Sequence, residues 1–235
     1  MPHKPATPEG DIPIWEHFAR ADAEYHILTD RPSHGGADAM ERFFATGRQQ
    51  AAAILTEADP WLSGHGKAIE IGCGTGRLTI PMADRFDRVV GVDIAPTMLA
   101  KLQANVERFN IPNIQGVHVQ TGWEADGDAD FLYSWLVLQH IESAETVARL
   151  VGRAAAALAP TGIAHLQFDT RPGTLLYRLR SHLPDAVLPR TWRKGLRRVR
   201  RSREALTALF AEAGLAVLRE HRPGTALHSF LLKKA

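Results

Sequence analysis

Cysteine is nearly absent: Cys73 is the only one in 235 residues. A single thiol excludes a disulfide framework and a thiolate metal cluster. No Cys-rich or His-x-x-x-His element is present, and the eleven histidines are scattered, so no metal site is expected. Long apolar runs are missing as well, all falling short of the roughly 20 residues that a membrane-spanning helix needs. The opening stretch MPHKPATPEGD lacks the apolar centre of a signal peptide. A cytoplasmic protein without a membrane span is the expectation. Charge of one sign is scarce too: the net is +2, so any basic patch is local and offset elsewhere. No internal repeat occurs.

What remains is ordinary for a soluble globular chain, with 45% hydrophobic and 23% charged residues. The length allows one α/β domain with an appendage. Helical spacing of Trp15, Phe18, Ala21, Tyr25 and Leu28 predicts a helix over 14–28. Met40, Phe43, Phe44, Ala51 and Ile54 predict another over 38–55. From residue 68 the pattern changes to short apolar strands alternating with helices. Strands are expected at 68–71, 88–92, 116–120, 131–135, 162–168, 215–219 and 226–232. Helices are expected at 77–86, 96–110, 144–158 and 203–214. Such alternation implies a mostly parallel sheet covered on both faces. The last two strands are joined by a loop too short for a crossover, so they pair antiparallel. The expected fold is therefore a doubly wound, Rossmann-like α/β sheet of seven strands with one antiparallel strand. Residues 1–60 form an N-terminal helical lid, 61–235 the main domain, and 171–202 an insertion after strand five.

Ligands of such sheets bind at the carboxyl ends of the strands. The first strand-to-helix turn is Glu70-Ile71-Gly72-Cys73-Gly74-Thr75-Gly76. Its glycines clear side chains from the backbone and permit positive φ. A dinucleotide fingerprint would need glycine at 77, where Arg77 stands. The spacing found, G-x-G-x-G after an acid, resembles motif I of the class I S-adenosylmethionine-dependent methyltransferases. An acid suits a ligand bearing a sulfonium and an ammonium and would repel a pyrophosphate. Val89-Val90-Gly91-Val92-Asp93 places a carboxylate at the end of the next strand, 17 residues after Gly76. There it can accept hydrogen bonds from ribose hydroxyls, or cap a helix.

The resemblance covers residues 67–170 and implies S-adenosylmethionine as cofactor. It implies cofactor contacts from Glu70, Gly72, Cys73, Gly74, Gly76, Asp93, Ile94, Met98, Gly122, Trp123 and Ser134. Trp123 stands where the family usually has a polar residue, so either it stacks on adenine or Glu124 takes the polar role. Methyl transfer is an in-line displacement that requires a positioned acceptor. The resemblance to enzymes that methylate hydroxyls of natural products makes His140 the candidate general base, with Asp169 as its partner or as an acceptor contact. A packing or capping histidine is the structural alternative. Trp15, Tyr25 and His26 on the N-terminal helices, with Tyr177 and Trp192 in the insertion, are candidate substrate contacts.

Between Arg190 and Arg203 lie eight basic residues and no acid. The run is a solvated face, a site for an anionic small acceptor, or a nucleic-acid or membrane surface. C5 methylation of cytosine needs a cysteine nucleophile, and Cys73 is taken up in the glycine turn. The Asp/Asn-Pro-Pro-aromatic tetrapeptide of amino-group methyltransferases is absent. These absences favour a small-molecule acceptor, methylated on the hydroxyl of a natural product or sugar-like metabolite. N-methylation of a small amine and a non-catalytic nucleotide- or RNA-binding module are the alternatives. Monomer and homodimer both remain open.

Overall fold

The computed structural model describes residues 12–27, 38–174, 177, 179, 183–184, 187–189, 192–193 and 195–235. The helices are α1 (Ile12–Ile27), α2 (Ala39–Ala58), α3 (Thr79–Met82), α4 (Pro96–Arg108), α5 (Ala144–Ala157) and α6 (Arg203–Glu212). The strands are β1 (Lys67–Ile71), β2 (Arg88–Asp93), β3 (Ile114–His118), β4 (Ala129–Ser134), β5 (Leu158–Phe168), β6 (Leu215–His221) and β7 (His228–Lys234). They form one seven-stranded sheet in the order β3-β2-β1-β4-β5-β7-β6. Only β7 runs against its neighbours, pairing antiparallel with both β5 and β6. The order reverses between β1 and β4, so the tips of these strands open the crevice that ligands use in such sheets. No helix among the described residues is long and apolar enough to cross a membrane.

Apolar side chains leave both faces of the sheet. One core joins Ile69, Ile71 and Leu132 to Val147, Val151 and Ala154 of α5 and to Phe210 of α6. The other joins Val89, Phe131 and Tyr133 to Ala51, Ile54 and Ala58 of α2 and to Leu102 of α4. The second helix is therefore part of the layer covering the sheet.

Several expected elements differ in extent, among them strand five, which begins at Leu158 and not at 162. The helix expected at 77–86 is reduced to Thr79–Met82 between turns. Pro81 has no N–H to continue a ladder of helical bonds. The third strand begins at Ile114, not at 116, because pairing with β2 runs from Val89↔Ile114 to Asp93↔His118. Gly116 thus sits in mid-strand, where Leu102 and Leu99 of α4 would lie 3.3 and 3.4 Å from an added Cβ. In the closing hairpin β6 runs two residues further than expected, to His221, and β7 keeps its expected length but starts two residues later, at His228, with Arg222 and Gly224 taking positive φ in the turn between them.

Candidate active site

A cavity of about 670 Å³ opens over the carboxyl ends of the central strands. That volume is typical of small-molecule sites. Its lining divides in two. One end is made by Gly72, Gly74, Asp93, Ile94, Met98, Val119 and Gln120, at the tips of β1, β2 and β3. The other is made by Trp135 to Val137 and Gln139 to Ile141 after β4, by Arg171, Tyr177, Trp192 and Leu196 to Arg198 with Arg200 of the insertion, and by Trp15 of α1.

At the first end the glycine turn is shaped from beneath. Gly72, Gly74 and Gly76 all have positive φ. A Cβ on Gly72 would lie 2.3 Å from Val137, and one on Gly74 would lie 2.9 Å from Ile27 of α1. Asp93 accepts the Gly74 N–H at 2.8 Å through Oδ2 and the Ala95 N–H at 2.9 Å through Oδ1. Burial raises its pKa, opposed by those backbone N–H groups. Each oxygen keeps a lone pair for a further donor. Asp93, Ile94 and Met98 line this end of the cavity together.

Other motif residues support the turn instead of facing the cavity. Glu70, expected at the cofactor, is buried; it accepts Thr79 Oγ1 at 2.6 Å and Tyr133 Oη at 3.1 Å. Desolvation raises its pKa to about 7, offset in part by those two hydrogen bonds. Cys73 is buried, with its side chain close to Gly91 on β2. Gly76 leaves space for Leu102 and Ile80. Ser134 donates to the Ile71 carbonyl at 3.0 Å and ties β4 to β1. Gly122 and Trp123 also lie off the cavity. Trp123 is a core residue, and the Arg153 guanidinium sits 4.7 Å over its ring. Arg153 also pairs with Glu124 at 2.6 Å and donates to the Val119 carbonyl, so both candidates for the adenine contact are engaged by one arginine. Arg153 itself lines the cavity. Its partners are mainly backbone carbonyls, which leave no pattern in sequence.

The other end rests on a chain of side-chain amides. Leu136 has a φ of 61°, which turns the backbone sharply after β4. Its N–H donates to Gln167 Oε1 at 2.9 Å. Gln167 Nε2 donates to the Ala226 carbonyl at 2.8 Å and to Gln139 Oε1 at 3.1 Å. Gln139 Nε2 lies 3.3 Å from His140 Nε2. Arg201 braces the 3-10 turn Leu138–His140 by donating to the Leu138 and Ile141 carbonyls at 3.2 and 2.5 Å. His140 is half-buried and meets the Trp15 ring edge-on at 6.0 Å. Its Nδ1 is buried and reaches no hydrogen-bond partner. Its pKa falls to about 4, first because burial penalises the cation and then because of the Arg198 charge.

Asp169, expected as the partner of His140, is engaged elsewhere. It is fully buried and accepts Arg171 Nη2 at 2.5 Å and the Arg171 N–H at 3.1 Å. It makes no hydrogen bond to His140 and acts on it only as a nearby negative charge. Tyr177 donates to the Arg198 carbonyl at 3.2 Å, and Arg200 lies 4.2 Å over its ring. Trp192 stands 6.0 Å from Tyr177. The side chains of Tyr25 and His26 lie outside the described residues.

Fold and site together define a Rossmann-like domain whose glycine turn and strand tips open on one two-ended cavity. A profile of the methyltransferase domain matches residues 41–220. The chain belongs to the class I S-adenosylmethionine-dependent methyltransferase family. A trans-aconitate 2-methyltransferase of Deinococcus radiodurans is 31% identical over 117 residues, 49% of this chain and 42% of that protein. A tRNA/tmRNA (uracil-C(5))-methyltransferase of Neisseria meningitidis is 32% identical over 72 residues, 28% of this chain. The chain spans only 20% of the length of that relative. The magnesium protoporphyrin IX methyltransferase of Synechocystis with bound SAH superposes with a TM-score of 0.64 at 18% identity, covering 95% of this chain and 99% of that one. The amino pentose methyltransferase CalS10 of Micromonospora echinaspora superposes at 0.62 and 18% identity, covering 88% and 99%.

Proposed function

We propose that this protein transfers a methyl group from S-adenosylmethionine to an oxygen of a small molecule held between the tip of β4, α1 and the insertion. The observation that carries the reading is the two-ended cavity, with a nucleoside-shaped end on the glycine turn and a separate chamber beyond it. The cofactor supplies a methyl carbon activated by its sulfonium leaving group. The chain supplies the rest. Asp93 receives the ribose hydroxyls, Ile94 and Met98 cover the adenine, and the exposed backbone of Gly72 and Gly74 lets the ligand lie close. Trp15 and Leu196 narrow the chamber and exclude water, which matters because the displacement needs a short, aligned approach.

The Arg-rich segment favours an anionic small acceptor over RNA. Arg197, Arg198 and Arg200 line the cavity, and Arg201 is spent on backbone carbonyls. They do not form an exposed basic strip of the kind that follows a nucleic-acid backbone. C5 methylation of a base has no nucleophile here: Cys73 is buried, and desolvation holds its thiol well above the ordinary range.

Calorimetry tests the cofactor half of the reading. S-adenosylmethionine binds and NAD does not; uptake of NAD with no uptake of S-adenosylmethionine would overturn it. Incubation with methyl-labelled S-adenosylmethionine and separated small-molecule and RNA fractions tests the acceptor half. Label enters the small-molecule fraction; label confined to RNA would reverse the assignment.

A further inference from the structure

The acceptor chamber contains charge without counter-charge, and among the described residues it holds no open base. Asp169 neutralises Arg171, and Glu142 pairs with Arg197 at 2.7 Å. Arg198 and Arg200 have no carboxylate partner among the described residues, and both line the cavity. A half-buried guanidinium without a counter-charge, as at Arg198, is costly unless a ligand brings negative charge, whereas Arg200 donates to the Pro172 carbonyl at 2.6 Å and lies over the Tyr177 ring.

The amide chain determines what His140 can do. The Leu136 N–H and the Ala226 carbonyl sit on the two ends of the Gln167 amide, so its orientation is unambiguous. Gln167 Nε2 then faces Gln139 Oε1, and Gln139 Nε2 must donate to His140 Nε2. The neutral imidazole therefore carries its proton on Nδ1, which is buried. One nitrogen is occupied by an N–H and the other already bears a proton. Neither can take a proton from an acceptor. Asp169 is locked by Arg171, and the Tyr177 hydroxyl is bound on both sides, by the Arg198 carbonyl and the Arg200 N–H.

Resting on the methyltransferase reading, we infer that the acceptor is a carboxylic acid, bound as its carboxylate by Arg198 and methylated on that oxygen without a protein base. A carboxylate is already a nucleophile at neutral pH. Its oxygen attacks the methyl carbon; the C–O bond forms, the C–S bond breaks, and the electron pair of that bond stays on sulfur. The products are a neutral methyl ester and S-adenosylhomocysteine, and no proton moves. A hydroxyl acceptor would require a base that the described lining does not offer, and an ammonium would be repelled by Arg198. Tyr177 and Trp192 favour an acid with a flat apolar body. The depressed basicity of His140 agrees with this division of labour.

The test is titration of the chain, loaded with S-adenosylhomocysteine, with benzoate and with benzyl alcohol. The two share a ring and differ in charge. Wild type binds benzoate about tenfold or more tighter, and Arg198→Gln brings the two within about threefold while S-adenosylhomocysteine affinity holds. In transfer assays with methyl-labelled S-adenosylmethionine, product label is released as methanol by alkali, as an ester requires. His140→Gln keeps transfer within about tenfold, whereas loss of a general base costs about 10²–10⁴-fold. Equal affinity for acid and alcohol, an unchanged preference in Arg198→Gln, alkali-stable label on benzyl alcohol, or a general-base-sized loss in His140→Gln would each overturn the inference. Failure of the methyltransferase reading is distinct: wild type would not bind S-adenosylhomocysteine at all.

Discussion

Asp93 accepts the backbone N–H of Gly74 at 2.8 Å, so the acid that ends β2 fixes the glycine turn that follows β1. One side chain thus sets the shape of the turn and offers oxygen to a ligand in the same cavity. Asp93→Ala removes both effects. It is expected to weaken S-adenosylhomocysteine binding by about 1–3 kcal/mol, the cost of a lost hydrogen bond to a charged group. Calorimetry decides; an affinity within about twofold of wild type would show that the carboxylate does not meet the ligand.

Glu70 makes a prediction about stability. Its pKa in the folded chain is about 7, above the ordinary 4.5, because burial disfavours the carboxylate. A raised carboxyl contributes stability that is fully present below the unfolded pKa and is lost as pH rises through the folded one. Wild type therefore loses stability between about pH 4.5 and pH 7, by up to about 3 kcal/mol over the full interval. Glu70→Gln still accepts from Thr79 and Tyr133 but does not titrate. Its melting temperature rises relative to wild type as pH goes from 5 to 8. Parallel melting curves across that range would refute the assignment.

The motif residues were legible in sequence for a physical reason. A positive-φ turn that must also pass close to Val137 and Ile27 admits only glycine, and a strand tip ending in Asp93 is visible as a residue type. What each motif residue touches was not legible. Glu70, Ser134 and Trp123 belong to the same motifs, yet their side chains alternate away from the cavity into the core. The acceptor end was harder still. Its amide chain joins Leu136, Gln139, Gln167 and Ala226, which are distant in sequence and chemically unremarkable one by one. The histidine after β4 suggested a base because its type was visible and its tautomer was not. The arginine run was visible, but only the fold separates Arg201, spent on carbonyls, from Arg198, which faces the chamber.

The cover of the cofactor end depends on Glu16. From α1 it accepts the Thr97 N–H at 3.1 Å and the Thr97 hydroxyl at 2.6 Å, satisfying an unpaired donor in the first turn of α4. The same segment carries Trp15 to His140 and, beyond a kink at Asp22, Ile27 to the glycine turn. Glu16→Ala is expected to cost about 1 kcal/mol, the usual value of a helix cap. The larger consequence is kinetic: S-adenosylhomocysteine leaves several times faster as α1 loosens. Stopped-flow displacement measures it. An unchanged off-rate would mean that α1 is held by its apolar contacts with Ala95 and Met98 alone.

The pH dependence of the reaction separates the two roles that His140 could have. Burial and the Arg198 charge lower its pKa to about 4; the backbone of Arg197 and Leu196 and the charge of Asp169 oppose that shift. Gln139 at Nε2 and the Trp15 ring, which carry no charge, complete the surroundings of the imidazole. A base of ordinary pKa would make the rate fall as pH drops below about 6.5. A carboxylate acceptor bound by Arg198 gives a rate that is level from about pH 8 to pH 5.5. The folded chain pays for the suppressed cation at low pH. The unfolded histidine takes up a proton near pH 6.5 and the folded one only near pH 4, so stability present above 6.5 is lost as pH falls between those values. His140→Gln, which does not titrate, should melt a few degrees higher than wild type at pH 5 relative to pH 7.5. Its rate should stay level over the same range in which wild type is level. A rate that falls tenfold between pH 7 and pH 6 in wild type, and loses that limb in His140→Gln, would restore the histidine as the base and with it a hydroxyl acceptor.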